Sequence, residues 1–140
     1  MKKSVILSVR GRQSYADQEP EVIELVTEGI LEETDGCWKL CYEESDLTGL
    51  QGVQTTFAIC GKTVTLTRSG KLNSQMVFEE GVPHDSLYQT EFGALMLTVC
   101  ATKVSADIAD CGGTVDLAYD IEIEQTAMGK IDYHLDIKLN

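Results

Sequence analysis

The sequence predicts an all-β protein: a closed antiparallel meander of about ten strands forming one barrel. Three observations carry this reading. Apolar and polar residues alternate with a period of two along most of the chain, most plainly at Val115, Leu117, Tyr119, Ile121 and Ile123 and again at Ile131, Tyr133, Leu135, Ile137 and Leu139. Turn signals fall between these runs, Asp35-Gly36 and Gly61-Lys62 foremost. An open meander of that size would expose two long edges, which closure removes; a sandwich is the second solution.

The 140 residues make one domain, spanning 1–140, of a length that needs no disulfide or metal staple. Apolar residues are 43% and charged residues 24%, an ordinary globular balance. The net charge of −12 argues against nucleic acid and anionic lipid as partners, since both call for a basic surface. The apolar start Val5-Ile6-Leu7 is cut by Ser8 and by Arg10-Gly11-Arg12, so no signal core forms, and no run is long enough to span a membrane. The expectation is a cytoplasmic protein. Its five cysteines, Cys37, Cys41, Cys60, Cys100 and Cys111, are odd in number and lack CxxC spacing, so free thiols are expected.

Strand one covers residues 4–13, with Val5, Leu7 and Val9 on one face. Residues 21–33 fit a helical stripe, but their Val, Ile and Thr content favours a strand. A type I′ turn at Asp35-Gly36 then pairs Thr34 with Cys37, Glu32 with Lys39, Leu31 with Leu40 and Gly29 with Tyr42, and Gly29 marks a bend or bulge. Residues 37–44 form the return strand, with Trp38, Leu40 and Tyr42 inward; residues 45–52 connect.

The next hairpin, residues 53–70, is the most informative. Its Gly-X turn at Gly61-Lys62 sets Ile59 opposite Val64, Phe57 opposite Leu66 and Thr55 opposite Arg68, all on one face. Residues 73–80 form another strand with Met76 and Phe78 inward. Residues 86–91 and 94–104 pair about Phe92-Gly93, and residues 105–113 read as a loop. The final hairpin, 114–139, turns at Ala127-Met128-Gly129, which places Ile123 opposite Tyr133 and Ile121 opposite Leu135.

The motifs Tyr42-Glu43-Glu44-Ser45, Gln54-Thr55-Thr56, Leu66-Thr67-Arg68-Ser69-Gly70, Met76-Val77-Phe78-x-x-Gly81, Tyr88-Gln89-Thr90-x-Phe92-Gly93 and Ala118-Tyr119-Asp120, in this order, resemble the uncharacterised bacterial YwiB-like family. Their order and spacing, rather than any one of them, carry the match, which spans nearly the whole chain. The resemblance implies a calycin-like (lipocalin-like) β-barrel and no assigned activity. The fold analogy hints at ligand binding only.

Arg68 shares the parity of Val64 and Leu66 and so points inward, where an unpaired charge is costly. It either holds a ligand anion in a barrel cavity or closes one barrel end, its head in water or stacked on Trp38 or a tyrosine. Tyr42, Tyr88, Tyr119 and Tyr133 place hydroxyls on the same face, which suits either a pocket or a filled core. The candidate ligand site is therefore Arg68, Thr55, Trp38, Tyr42, Tyr88, Tyr119 and Tyr133, for a small apolar or anionic molecule. The alternative is an interaction module with a side-chain-filled core and no ligand. His134 faces outward opposite Glu122 as a surface ion pair, and with His84 in a separate segment no metal or cofactor is implied. Cys111 lies in a glycine-rich turn without a neighbouring histidine. Glu32-Glu33 and Glu43-Glu44 read as solvated faces, so no inward carboxylate pair or catalytic residue is assigned.

Overall fold

The computed structural model describes residues 2–14, 19–44, 52–70, 72–90, 93–109, 112–124 and 126–140. Ten antiparallel strands, each hydrogen-bonded to its sequence neighbour, close into a barrel when β1 meets β10. They are β1 (Lys2–Ser14), β2 (Glu21–Thr34), β3 (Cys37–Glu43), β4 (Val53–Cys60), β5 (Thr63–Gly70), β6 (Leu72–Glu79), β7 (Pro83–Thr90), β8 (Gly93–Ala109), β9 (Gly112–Ile123) and β10 (Thr126–Leu139). No helix among the described residues is long and apolar enough to cross a membrane.

The alternation seen in the sequence decides the two faces. Val5, Leu7, Leu31, Leu40, Phe57, Val64, Leu66, Phe78, Val99, Val115, Leu117, Leu135 and Ile137 point inward and are all but sealed from water. Asp35 and Gly36 take positive φ, as a type I′ turn requires, and the predicted register through β2 and β3 stands, Gly29 opposite Tyr42 included. The register of the β4–β5 hairpin stands as well, with Thr55 opposite Arg68. Gly29 makes no bulge. A Cβ there would sit 2.8 Å from the carbonyl oxygen of Cys41 and 2.9 Å from Leu7 Cδ1, so close packing is what demands glycine.

Three expectations are corrected. Among the described residues of the expected 105–113 loop all are strand: β8 runs on to Ala109 and β9 starts at Gly112. Val104, Ala106 and Ile108 alternate there with Ser105 and Asp107, and the weak strand preference of Ala106, Asp107 and Ala109 hid the pattern. The β9–β10 hairpin turns earlier, around Glu124, with a bulge between Ala127 and Gly129. Ile121 therefore faces Gly129, Tyr119 faces Ile131 and Leu117 faces Tyr133. The displacement is even, so every side chain keeps its face.

The third correction concerns the thiols. Cys37 and Cys60 form a disulfide, their Cα atoms 4.6 Å apart. The β3–β4 register, Trp38 with Ile59 and Tyr42 with Thr55, brings the last residue of β4 opposite the first of β3. Cys41 and Cys100 are free, and Cys111 lies outside the described residues.

Candidate functional site

The barrel is filled toward one end and hollow toward the other. At the filled end Leu31, Leu40, Phe57, Leu66 and Met76 form one continuous inward row across five strands. Aromatic contacts tie it inward: Phe57 lies 5.9 Å from Tyr133 and 6.4 Å from Tyr42 between ring centroids, and Phe78 lies 4.6 Å from Tyr119. Beyond this plug is a cavity of about 230 Å³ with an apolar wall of Val9, Leu25, Met76, Leu97, Ile121 and Ile131. Its polar lining comes from Glu44, Arg68, Tyr88, Tyr119 and Tyr133, with Gln13 at the rim. These residues come from the same ends of their strands, the ends joined by the β1–β2, β3–β4, β5–β6, β7–β8 and β9–β10 connections.

Arg68 enters this space from β5, one row beyond Leu66 on the inward face. Its Nε is closed to solvent and has no hydrogen-bond partner among the described residues; the same is true of Ser74 Oγ, opposite it on β6, and of Ser86 Oγ on β7. Burial opposes the charge on Arg68, but Tyr133, Glu44, Tyr119 and Tyr42 more than offset it and hold its pKa above the usual value. Burial is also the chief reason that the phenols of Tyr42, Tyr119 and Tyr133 titrate above their ordinary value. All three hydroxyls are therefore protonated donors at neutral pH. Those of Tyr42 and Tyr133 lie 3.3 Å apart.

Glu44 is the functional residue that sequence reasoning missed. Read as part of a solvated pair, it is in fact only 6% exposed. Its backbone N–H donates to the carbonyl of Val53 at 2.9 Å, which carries the β3–β4 ladder one step past Glu43 and gives Glu44 the inward parity of Tyr42. Thr55 Oγ1 then donates to Glu44 Oε1 at 2.6 Å. The parity of Trp38, Leu40 and Tyr42, extended by one step, was the signal that could have found it.

Of the candidate residues, Arg68, Tyr88, Tyr119 and Tyr133 line the cavity. Tyr42 and Thr55 stand behind the lining, Tyr42 against Tyr133 and Thr55 against Glu44. Trp38 is not part of the site. It sits in the row of Ile59 and Val64, whereas Arg68 sits in the row of Thr55 and Tyr42, four residues further along the strands. At about 3.3 Å per residue that is roughly 13 Å, so Arg68 cannot stack on Trp38. His134 is on the outer face, but its partners are Asp116 and Asp136 rather than Glu122, because of the changed β9–β10 register. Among the described residues no three His, Cys, Asp or Glu side chains cluster as metal ligands would.

Chemically, the cavity offers one cation and one anion within electrostatic reach, several fixed hydroxyl donors and an apolar wall. The profile of the family described as Domain of unknown function (DUF1934) matches residues 7–137. The chain is similar to the crystal structure of ywiB protein from Bacillus subtilis: TM-score 0.82 and 24% sequence identity, over 96% of this chain and 92% of that one. That likeness speaks for the fold. No curated protein matches the chain.

Proposed function

The chain belongs to the DUF1934 family, whose description carries no activity, and we propose from its cavity that it binds a small amphipathic molecule inside the barrel. The observation that carries this reading is Arg68: a charged side chain lining a cavity, with a buried Nε that the described residues leave unpaired. Buried polar groups are ordinarily hydrogen-bonded, and a ligand acceptor would complete this one.

The charge balance sharpens the ligand class. Glu44 already faces Arg68 across the lining, so the site is neutral without a ligand. A simple anion would add an unbalanced charge in a poorly hydrated space. A purely apolar molecule would leave the buried Nε of Arg68 without an acceptor. A neutral or dipolar head, such as an amide or an amino-acid-type zwitterion, can accept from Arg68 and donate to Glu44 while a short tail lies on Leu25, Leu97 and Ile131. The volume, below the usual range of about 300–1,000 Å³ for ligand pockets, limits the ligand to a small one.

A thermal-shift and calorimetric screen with short fatty acids, their primary amides and apolar amino acids tests this. Amides or amino acids raise the melting temperature of the wild type more than the matching acids do, since binding to the native state alone stabilises it. Arg68→Met removes that response. If no compound shifts the wild type, or if Arg68→Met responds as the wild type does, the reading fails.

A further inference from the structure

A barrel should have no free edge, yet this one has. On one side β8 pairs with β9 along its length, from Leu97 opposite Ile123 to Ala109 opposite Gly112. On the other side it pairs with β7 only from Gly93 to Cys100, and a single bridge from Ala101 to Glu80 follows. Past the bulge between Ala101 and Lys103, no strand among the described residues pairs with the second edge of residues 103–109. Along these seven residues the N–H and C=O groups of alternate residues, those turned away from β9, thus have no strand partner among the described residues. Lys103, Ser105 and Asp107 are exposed on the outer face, while Val104, Ala106 and Ile108 are half-buried against the core.

We propose that this edge pairs antiparallel with the same edge of a second copy of the chain, about a two-fold axis through Ser105. The side-chain order selects both the partner and the register. An antiparallel pair centred on Ser105 sets Lys103 of each copy opposite Asp107 of the other, and Val104 opposite Ala106. Two complementary charge pairs then lie on the outer face and four small apolar side chains on the inner. Centring on Ala106 instead sets Lys103 opposite Ala109 and Asp107 opposite Ser105, which leaves all the charges unmatched. Neither Lys103 nor Asp107 has an ion-pair partner among the described residues of its own chain, so both are available. Edge strands are natural templates for strand addition, and an edge this long that served no partner would be an association hazard.

One strand pair is a small contact by the standard of permanent dimers, so association is weak and concentration-dependent. Sedimentation velocity from about 1 μM to 1 mM, the range of weak dimers, should show the wild type passing from monomer to dimer. Lys103→Asp or Asp107→Lys alone turns two attractive pairs into two repulsive ones and raises the dissociation constant about tenfold or more. Equimolar mixing of the two variants restores the complementary pairs and returns dimerisation to near the wild-type value. Hydrogen exchange on the wild type gives a readout independent of the variants: amides of residues 103–109 become protected as concentration rises, while those of the β2 edge facing β1 do not change. A wild type monomeric at 1 mM overturns the proposal, and the charges at Lys103 and Asp107 are then a guard against pairing. Dimers indifferent to both variants, variants that fail to complement, or concentration-independent exchange at residues 103–109 overturn it equally.

Discussion

Thr55 donates its hydroxyl to the carboxylate of Glu44 at 2.6 Å, and both side chains are shut away from water. The bond spans β4 and the end of β3, and it fixes Glu44 at the edge of the cavity that Arg68 lines. A buried carboxylate that loses a donor keeps its desolvation cost. Thr55→Val, nearly the same shape, should therefore destabilise the protein by about 1–3 kcal/mol. Urea denaturation of the two proteins measures it, and an unchanged midpoint would mean that Glu44 is held by other groups.

Arg68 and Glu44 should behave as one unit in a double-mutant cycle. Replacing Glu44 by leucine leaves the Arg68 charge without its counter-charge in the barrel, a loss of about 3–5 kcal/mol for a buried pair. Adding Arg68→Met to Glu44→Leu removes the stranded charge and should recover most of that loss. Strongly non-additive denaturation free energies are expected; additive ones would mean that water reaches both groups.

The disulfide gives a third expectation. Cys37 and Cys60 are 23 residues apart, and cross-linking a loop of that size constrains the unfolded chain by about 3 kcal/mol in the chain-entropy treatment. Reduction, or Cys37→Ser with Cys60→Ser, should lower stability by up to that amount without disturbing the strand signal in circular dichroism. Thiol titration of denatured, non-reduced protein should find two fewer reactive thiols than after reduction. Equal counts would show that the pair is not joined.

Much of this architecture could be read directly, because hairpin register depends on local turn chemistry. Asp35-Gly36 and Gly61-Lys62 each fixed a register that the structure keeps. Where no such dipeptide stands, register was lost. The β9–β10 turn carries Glu124 at positive φ and a bulge between Ala127 and Gly129, a geometry with no sequence signature. The inward parity of Arg68 was legible for the same local reason. The meeting of Glu44 with Thr55, and of Cys37 with Cys60, depends on pairing β3 with β4 across a long connection, and no turn signal announces that register. The hollow end was equally hidden, since alternation says which side chains point inward but not whether they fill the space.

His134 supplies a pH-dependent prediction. Its ring lies between Asp116 and Asp136 on the outer face. The hydrogen bond to Asp116 is the chief reason that its pKa is raised, with Asp136 adding to it. The folded state thus binds the proton more tightly than the unfolded state, whose histidine titrates near its ordinary value of about 6.5. The resulting stabilisation is fully present below about pH 6.5 and fades as pH rises through the higher folded-state pKa. With the ring 40% exposed, solvent and salt screen the effect, so it is small. Chemical denaturation of wild type and His134→Gln at pH 5.5, 7 and 8.5 should show the wild type's advantage largest at the lowest pH and shrinking steadily upward. Raising the salt concentration should narrow the difference at pH 5.5 and leave it nearly unchanged at pH 8.5. A gap between the two proteins that is constant across the three pH values would assign His134 a packing role instead.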